Sequence, residues 1–367
     1  MKSRCGLGRD RHTLLMASPS FRKGWLFLVL QHQREHAQML KRVSFVAAAA
    51  CVLLLGLSPA RATDTVSADD TARFLAGISP AADSPLAALT KNRAWQQHAR
   101  IFDSAFGRLD QCQLSRIRVW SEDNLKAPQP TMLYMFSGPD FLYANAFFPK
   151  ATTYVLSGLE PVSTVPDLTA LRGSVAPTLH QLRVSLSTIL SYTFFKTHDM
   201  RSDLRVGRLT GTLPILYVFL ARSGKTIREV TPVRLNPEGA LQPDVDTDRG
   251  SATHGVKIVF AGSDGEERTL YYFSTNLAND SVKSSKFLKF CETLAPGDSL
   301  IKSASYLLHS GEFSVVRDFL LVKTAVVVQD DSGIPLARKQ ARSDNDPCGA
   351  IFSDLSEGAV ILTEIRN

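Results

Sequence analysis

The residues of this chain best suited to chemistry are polar side chains set into apolar runs. Asp330 and Asp331 close the apolar stretch 325–328 in VVVQDDSG. Lys302 interrupts SLIKSASYLL, with His309 seven residues on, and Asn145 interrupts FLYANAFF. Two adjacent carboxylates at the end of a buried strand can position a ligand or a cation, or share one proton. In α/β sheets, ligands usually lie beyond the carboxyl ends of the strands. The catalytic candidates are therefore Asp330, Asp331, Lys302 and His309, and a hydrolysis at an acidic site is the reaction they would suit. The competing expectation is a structural network, with an aspartate capping the next turn and a lysine neutralising it. The pattern favours that network.

Other motifs are incomplete. Asp244, Asp246 and Asp248 alternate like the ligands of a calcium loop, but Arg249 replaces the turn glycine and Gly255 stands where a bidentate glutamate belongs. An EF-hand is excluded; a solvated acidic loop is the expectation, with a weak, irregular calcium site as the alternative. Ser223-Gly224-Lys225-Thr226 ends like a phosphate-binding loop, but Phe219 occupies the position of its first glycine, so a turn is expected. Ser299-Leu300-Ile301-Lys302 matches the S-x-x-K of serine acyl-enzymes without the partner motifs, and a helix start is expected there. His98, His180, His198, His254 and His309 show no paired metal-ligand spacing, and no G-x-S-x-G occurs. No cofactor is implied.

These residues need elements to position them. Asp83-Ser84-Pro85 reads as a helix start. Phe102, Phe106, Leu109, Ile117 and Trp120 recur at helical spacing, so residues 71–125 read as helical, ending before Pro128. Residues 131–136, 141–148 and 152–156 read as strands, with a turn at 137–140. Leu179, Leu182, Leu186, Ile189, Leu190 and Phe194 mark a helix. Residues 213–221 form a short buried strand or helix, and 226–235 a strand. After a polar loop at 236–255, residues 256–261 and 268–273 pair as a hairpin. Helices are expected at 285–294, 300–309 and 313–321, then a strand at 325–328. The class is α/β or α+β: a mixed β-sheet covered by helices and preceded by a helical N-terminal segment.

MLKRVSFVAAAACVLLLGLSPARATD, residues 39–64, has the parts of a secretory signal. Lys41 and Arg42 precede an apolar run, and Ala60-Arg61-Ala62 is the cleavage motif, so the mature chain begins near Thr63. The run is too short for a stable anchor, which needs about 20 apolar residues. The expected organisation is 1–38, an upstream mis-start or short basic tail; 39–62, the signal peptide; 63–127, the helical segment; 128–335, the mixed domain; and 336–367, an atypical polar tail. The chain carries 42 basic and 35 acidic residues, net +7. Ten of the basic and two of the acidic residues lie before Thr63, which leaves 32 against 33. The basic balance belongs to the removed end, and neither nucleic acid nor an anionic lipid surface is implied. Cys112, Cys291 and Cys348 remain, and export permits one disulfide among them.

At 135–149 (MFSGPDFLYANAFFP), 302–314 (KSASYLLHSGEFS) and 326–335 (VVVQDDSGIP) the chain resembles a group of exported bacterial proteins without assigned activity. The resemblance runs from about Phe102 to Pro335. It implies a periplasmic or secreted location, no known reaction and no catalytic residue to transfer. After Pro335 such proteins continue with aromatic-rich, strand-like sequence, whereas a charged stretch begins here. An altered reading frame or a truncated end is the expectation, tested by reading the other frames of the genomic DNA beyond codon 335. The functional expectation is an exported globular protein, non-enzymatic, binding an unknown ligand or protein partner or serving a structural role. The alternative is a hydrolase with an acidic site near Asp330 and Asp331.

Overall fold

Ser67 accepts a hydrogen bond from the Asp70 amide and opens helix α1, Ala68–Leu75, in the computed structural model of the chain. The described residues are 66–165, 167–171, 175–192, 209–244, 252–302, 304–330 and 359–361. The expected upstream segment and signal peptide lie outside them, as do Asp246, Asp248, Asp331 and most of the polar tail. Residues from Val66 onward belong to a single unit. Among the described residues, no helix is long and apolar enough to cross a membrane.

The helical N-terminal segment is present, in several pieces. The expected start at Asp83 gives only a short 3-10 turn, Ala87–Lys91. Asn92 then caps α2, Arg93–Leu109, by accepting from the Ala94 amide. Its stripe of Trp95, His98, Phe102, Phe106 and Leu109 is buried. A π-helical turn, Asp110–Leu114, joins α2 to α3, Ser115–Asn124.

A mixed sheet follows. Its strands are β1 (Thr131–Tyr134), β2 (Thr153–Gly158), β3 (Thr226–Leu235), β4 (Leu241–Pro243), β5 (Thr253–Ala261), β6 (Glu267–Ser274), β7 (Gly297–Lys302), β8 (Thr324–Asp330) and a short β9 (Ala359–Ile361). The order is β4-β3-β5-β6-β2-β1-β7-β8-β9. The run β6-β2-β1-β7-β8 is parallel, and antiparallel pairs flank it. Alternation divides the side chains between two cores. Met132, Tyr134, Tyr154, Leu156, Leu300 and Val328 face one side, with α1, α2, α4 (Phe141–Phe147), α5 (Val175–Tyr192) and α6 (Leu213–Arg222). Leu133, Val155, Phe273, Ile301 and Val327 face the other, with α7 (Asn279–Ser285), α8 (Phe287–Thr293), α9 (Ser305–Leu308) and α10 (Ser314–Lys323). The fold is α/β, a sheet covered on both faces.

Several expectations need correction. Residues 141–148, read as a strand, are helix α4: Asp140 caps it by accepting from the Tyr143 amide, and six of its seven residues are buried. Residues 300–309, read as a helix, begin as β7, whose six residues are all buried. Only α9 follows. A parallel strand covered on both faces reads as a continuous apolar run, which periodicity cannot separate from a helix. The ambiguous 213–221 is helical. The helix expected at 285–294 is α8, Phe287–Thr293, preceded by the separate α7 and set off from it at Lys286, whose φ is 63°. Part of the loop at 236–255 forms β4 and the start of β5.

Candidate functional site

The chain leaves β1 through α4 on one face of the sheet and reaches β2, beside β1. It leaves β7 through α10 on the opposite face and reaches β8. Because β1 and β7 are neighbours whose connections leave on opposite faces, their carboxyl ends form a topological switch point, the place where doubly wound sheets usually bind ligands. Three side chains lie at those ends on the same face: Tyr134 from β1, Lys302 from β7 and Asp330 from β8. The parity of Leu300 and Val328 fixes the orientation of the latter two. Lys302 and Asp330 are register partners on adjacent parallel strands, about 4.8 Å apart along the ladder.

Helix α4 closes over this group. Asp140 accepts from the Tyr134 hydroxyl at 3.0 Å through one oxygen and from the Tyr143 amide at 3.2 Å through the other. The Lys302 ammonium sits 4.2 Å from the centre of the Tyr143 ring, a cation–π contact that partly replaces lost hydration. The Tyr143 hydroxyl donates to Oε1 of Gln113, which the π turn carries into the core. Insertions of this kind often mark functional positions. Tyr134, Asp140, Tyr143, Lys302 and Asp330 are all buried.

Electrostatics couples the cluster. Burial pushes the Asp140 carboxyl up to about 6, the Asp330 carboxylate adds to the shift, and Lys302, the Tyr143 amide and the Tyr134 hydroxyl oppose it. Burial also pushes the Tyr134 hydroxyl far up, reinforced by Asp140. A buried carboxylate with a pKa near neutrality can hold or release a proton under working conditions, the property demanded of a general acid or base.

The approach to α4 is held in an unusual conformation. Phe136 has φ 60° and Gly138 φ 56°. The left-handed region costs a non-glycine residue about 1–2 kcal/mol. An edge contact with Phe313, ring centres 5.3 Å apart, helps fix Phe136. Ser137 ties the turn to β2, donating to the Gly138 carbonyl at 2.8 Å and accepting from the Ser157 amide at 3.2 Å.

Of the expected site residues, Lys302 and Asp330 are brought together, and Asp331 lies outside the described residues. His309 is exposed just past α9 and makes no hydrogen bond to the cluster among the described residues, so it is not a member. Tyr134, Asp140, Tyr143 and Gln113 were missed, although the spacing D-F-L-Y is that of a helix cap and the amide it satisfies. The S-x-x-K reading fails because Ser299 and Lys302, three apart on a strand, face opposite sides of the sheet. Ser223 to Lys225 connects helix α6 to strand β3, so no helix N-terminus follows the glycine to hold a phosphate. Asp244 accepts from Nδ1 of His254 at 2.7 Å, while Asp246 and Asp248 lie outside the described residues. Among the described residues, no three His, Cys, Asp or Glu side chains converge as metal ligands. Cys112 is disulfide-bonded and Cys291 is a free, buried thiol whose pKa burial pushes well up.

No protein-family model, curated protein or solved structure matches this chain.

Proposed function

We propose that this is an exported, periplasmic or secreted protein that binds a small polar ligand at the carboxyl ends of β1, β7 and β8. The observation that carries the reading is the burial of Lys302, Asp330 and Asp140 together at the point where the sheet's connections diverge. Burying charge is costly, and hydrophobic replacements often stabilise a fold, so such a cluster is better explained by a task than by stability. A fitting ligand offers an acceptor to Lys302 and a donor to the carboxylates. Export is supported by the signal-like stretch before Thr63 and by the disulfide at Cys112, a bond favoured by oxidising compartments. The resemblance to exported bacterial proteins points the same way.

The test is a thermal-shift screen of small polar metabolites against the wild type, Lys302→Gln and Tyr134→Phe. A ligand at a hundred times its Kd stabilises by about 2.7 kcal/mol. The reading expects a hit that shifts the wild type and loses its effect in both folded variants. Hits that stabilise all three proteins equally would remove it. A hydrolase is the second reading, favoured by the Asp140 pKa near 6. It expects turnover of an ester, phosphate or glycoside substrate that Asp140→Asn abolishes, and a turnover indifferent to that change would exclude it.

A further inference from the structure

Helix α2 carries Arg93, Arg100 and Arg108 on its solvent side, all exposed. In sequence they stand seven and eight residues apart and look dilute. On a helix of 3.6 residues per turn they fall within an arc of about 80°, spaced by about 10 and 12 Å along the axis. None of the three makes an ion pair or hydrogen bond among the described residues. The two carboxylates on this stretch are engaged elsewhere: Asp103 holds Arg222 and Asp110 holds Arg118, each at 2.7 Å. Neither Arg93 nor Arg108 has an acidic residue three or four positions away, and the one so placed from Arg100, Asp103, is paired with Arg222. Ile101, 42% exposed, flanks the arginines.

We propose that this face of α2 docks the protein on an anionic phospholipid surface. A helix of 17 residues is about 25 Å long and presents its arginines along one side, as contact with a headgroup layer requires. The guanidinium fork matches phosphate oxygens, and an exposed isoleucine beside the stripe can enter the boundary between headgroups and acyl chains. That apolar neighbour favours a membrane over a soluble polyanion. The near-neutral total charge of the mature chain conceals the asymmetry, because acidic residues elsewhere balance this face. The inference is independent of the buried cluster and takes from the functional proposal only the export that brings the protein to a membrane.

The experiment uses the chain from Thr63, which retains the whole unit beginning at Val66. Co-sedimentation is measured with vesicles of phosphatidylcholine alone and with phosphatidylglycerol added. The proposal expects binding to the anionic vesicles only, weakened by salt. Each arginine near such a surface contributes about five-fold to partitioning, so R93Q/R100Q/R108Q should lose roughly a hundred-fold. A control of equal charge change, K150Q/K283Q/K289Q, should keep most of the binding. Absence of binding to anionic vesicles, equal loss in the control, or tighter binding to heparin than to vesicles would overturn it. None of these outcomes bears on the ligand screen.

Discussion

Replacing Asp140 by asparagine should change how stability depends on pH, by an amount the structure sets. Burial holds the Asp140 carboxyl at about 6 in the folded protein, against its ordinary 3.8. Between those values the native state keeps a proton that the unfolded chain has lost. Linkage then makes stability fall as pH rises through the window. A difference of about two units corresponds to about 3 kcal/mol. Asparagine can keep the cap by accepting from the Tyr143 amide, and its NH2 can donate to the Tyr134 hydroxyl, so the variant should fold. The assay is urea denaturation of both proteins at a series of pH values from 3.5 to 7.5. The wild-type stability minus that of the variant should decrease by about 3 kcal/mol from the acid to the neutral end. A constant difference, or one that increases with pH, would refute the burial argument for Asp140.

The other predictions concern separate parts of the fold. His98 donates from Nε2 to the Leu75 carbonyl, 2.8 Å away, and burial lowers its pKa from 6.5 to about 4. Its contribution is present above pH 6.5 and lost as pH falls toward 4, so His98→Gln should remove about 3 kcal/mol of acid sensitivity in the same denaturation series. Lys302→Met leaves two buried carboxylates without their cation and should cost about 3–5 kcal/mol by urea denaturation at neutral pH. A methyl group on Gly158 would lie 2.8 Å from Cα of Gly138, so Gly158→Ala should displace the β1–α4 turn and cost about 1–3 kcal/mol in thermal unfolding. Peptide mapping of protein from its host should find Thr63 near the N-terminus and Cys112 in a disulfide, with Cys291 labelled only after denaturation.

The opposing slopes of Asp140 and His98 show why neither role is readable from composition. Both depend on burial, and burial depends on partners distant in sequence. His98 meets the Leu75 carbonyl and Arg183, and Asp140 meets Lys302. What could be read locally was read correctly where elements were long or patterned: the hairpin of β5 and β6, the stripe of α2, and β8 with its terminal aspartate. Short buried runs were not separable. Residues 141–148 and 300–309 are apolar because each is enclosed, one as a helix beneath other helices and one as a strand between two layers. Lys302 and Asp330 stood out as polar residues in apolar surroundings, but their adjacency comes from the parallel register of β7 and β8, which no local pattern encodes. Asp140 reads as an ordinary turn residue because the helix it caps reads, in sequence, as a strand. The arginines of α2 stand seven and eight residues apart in sequence and come into line only on the folded helix.

The central claim is that a ligand is held where β1, β7 and β8 end. Mapping of amide chemical shifts, with a library of small polar compounds added one at a time, tests it most directly. The account predicts that binders shift the amides of Tyr143, Lys302 and Asp330 together, and that Lys302→Gln abolishes those shifts. Binders that all map to other surfaces, or shifts at these amides that persist in Lys302→Gln, would contradict it.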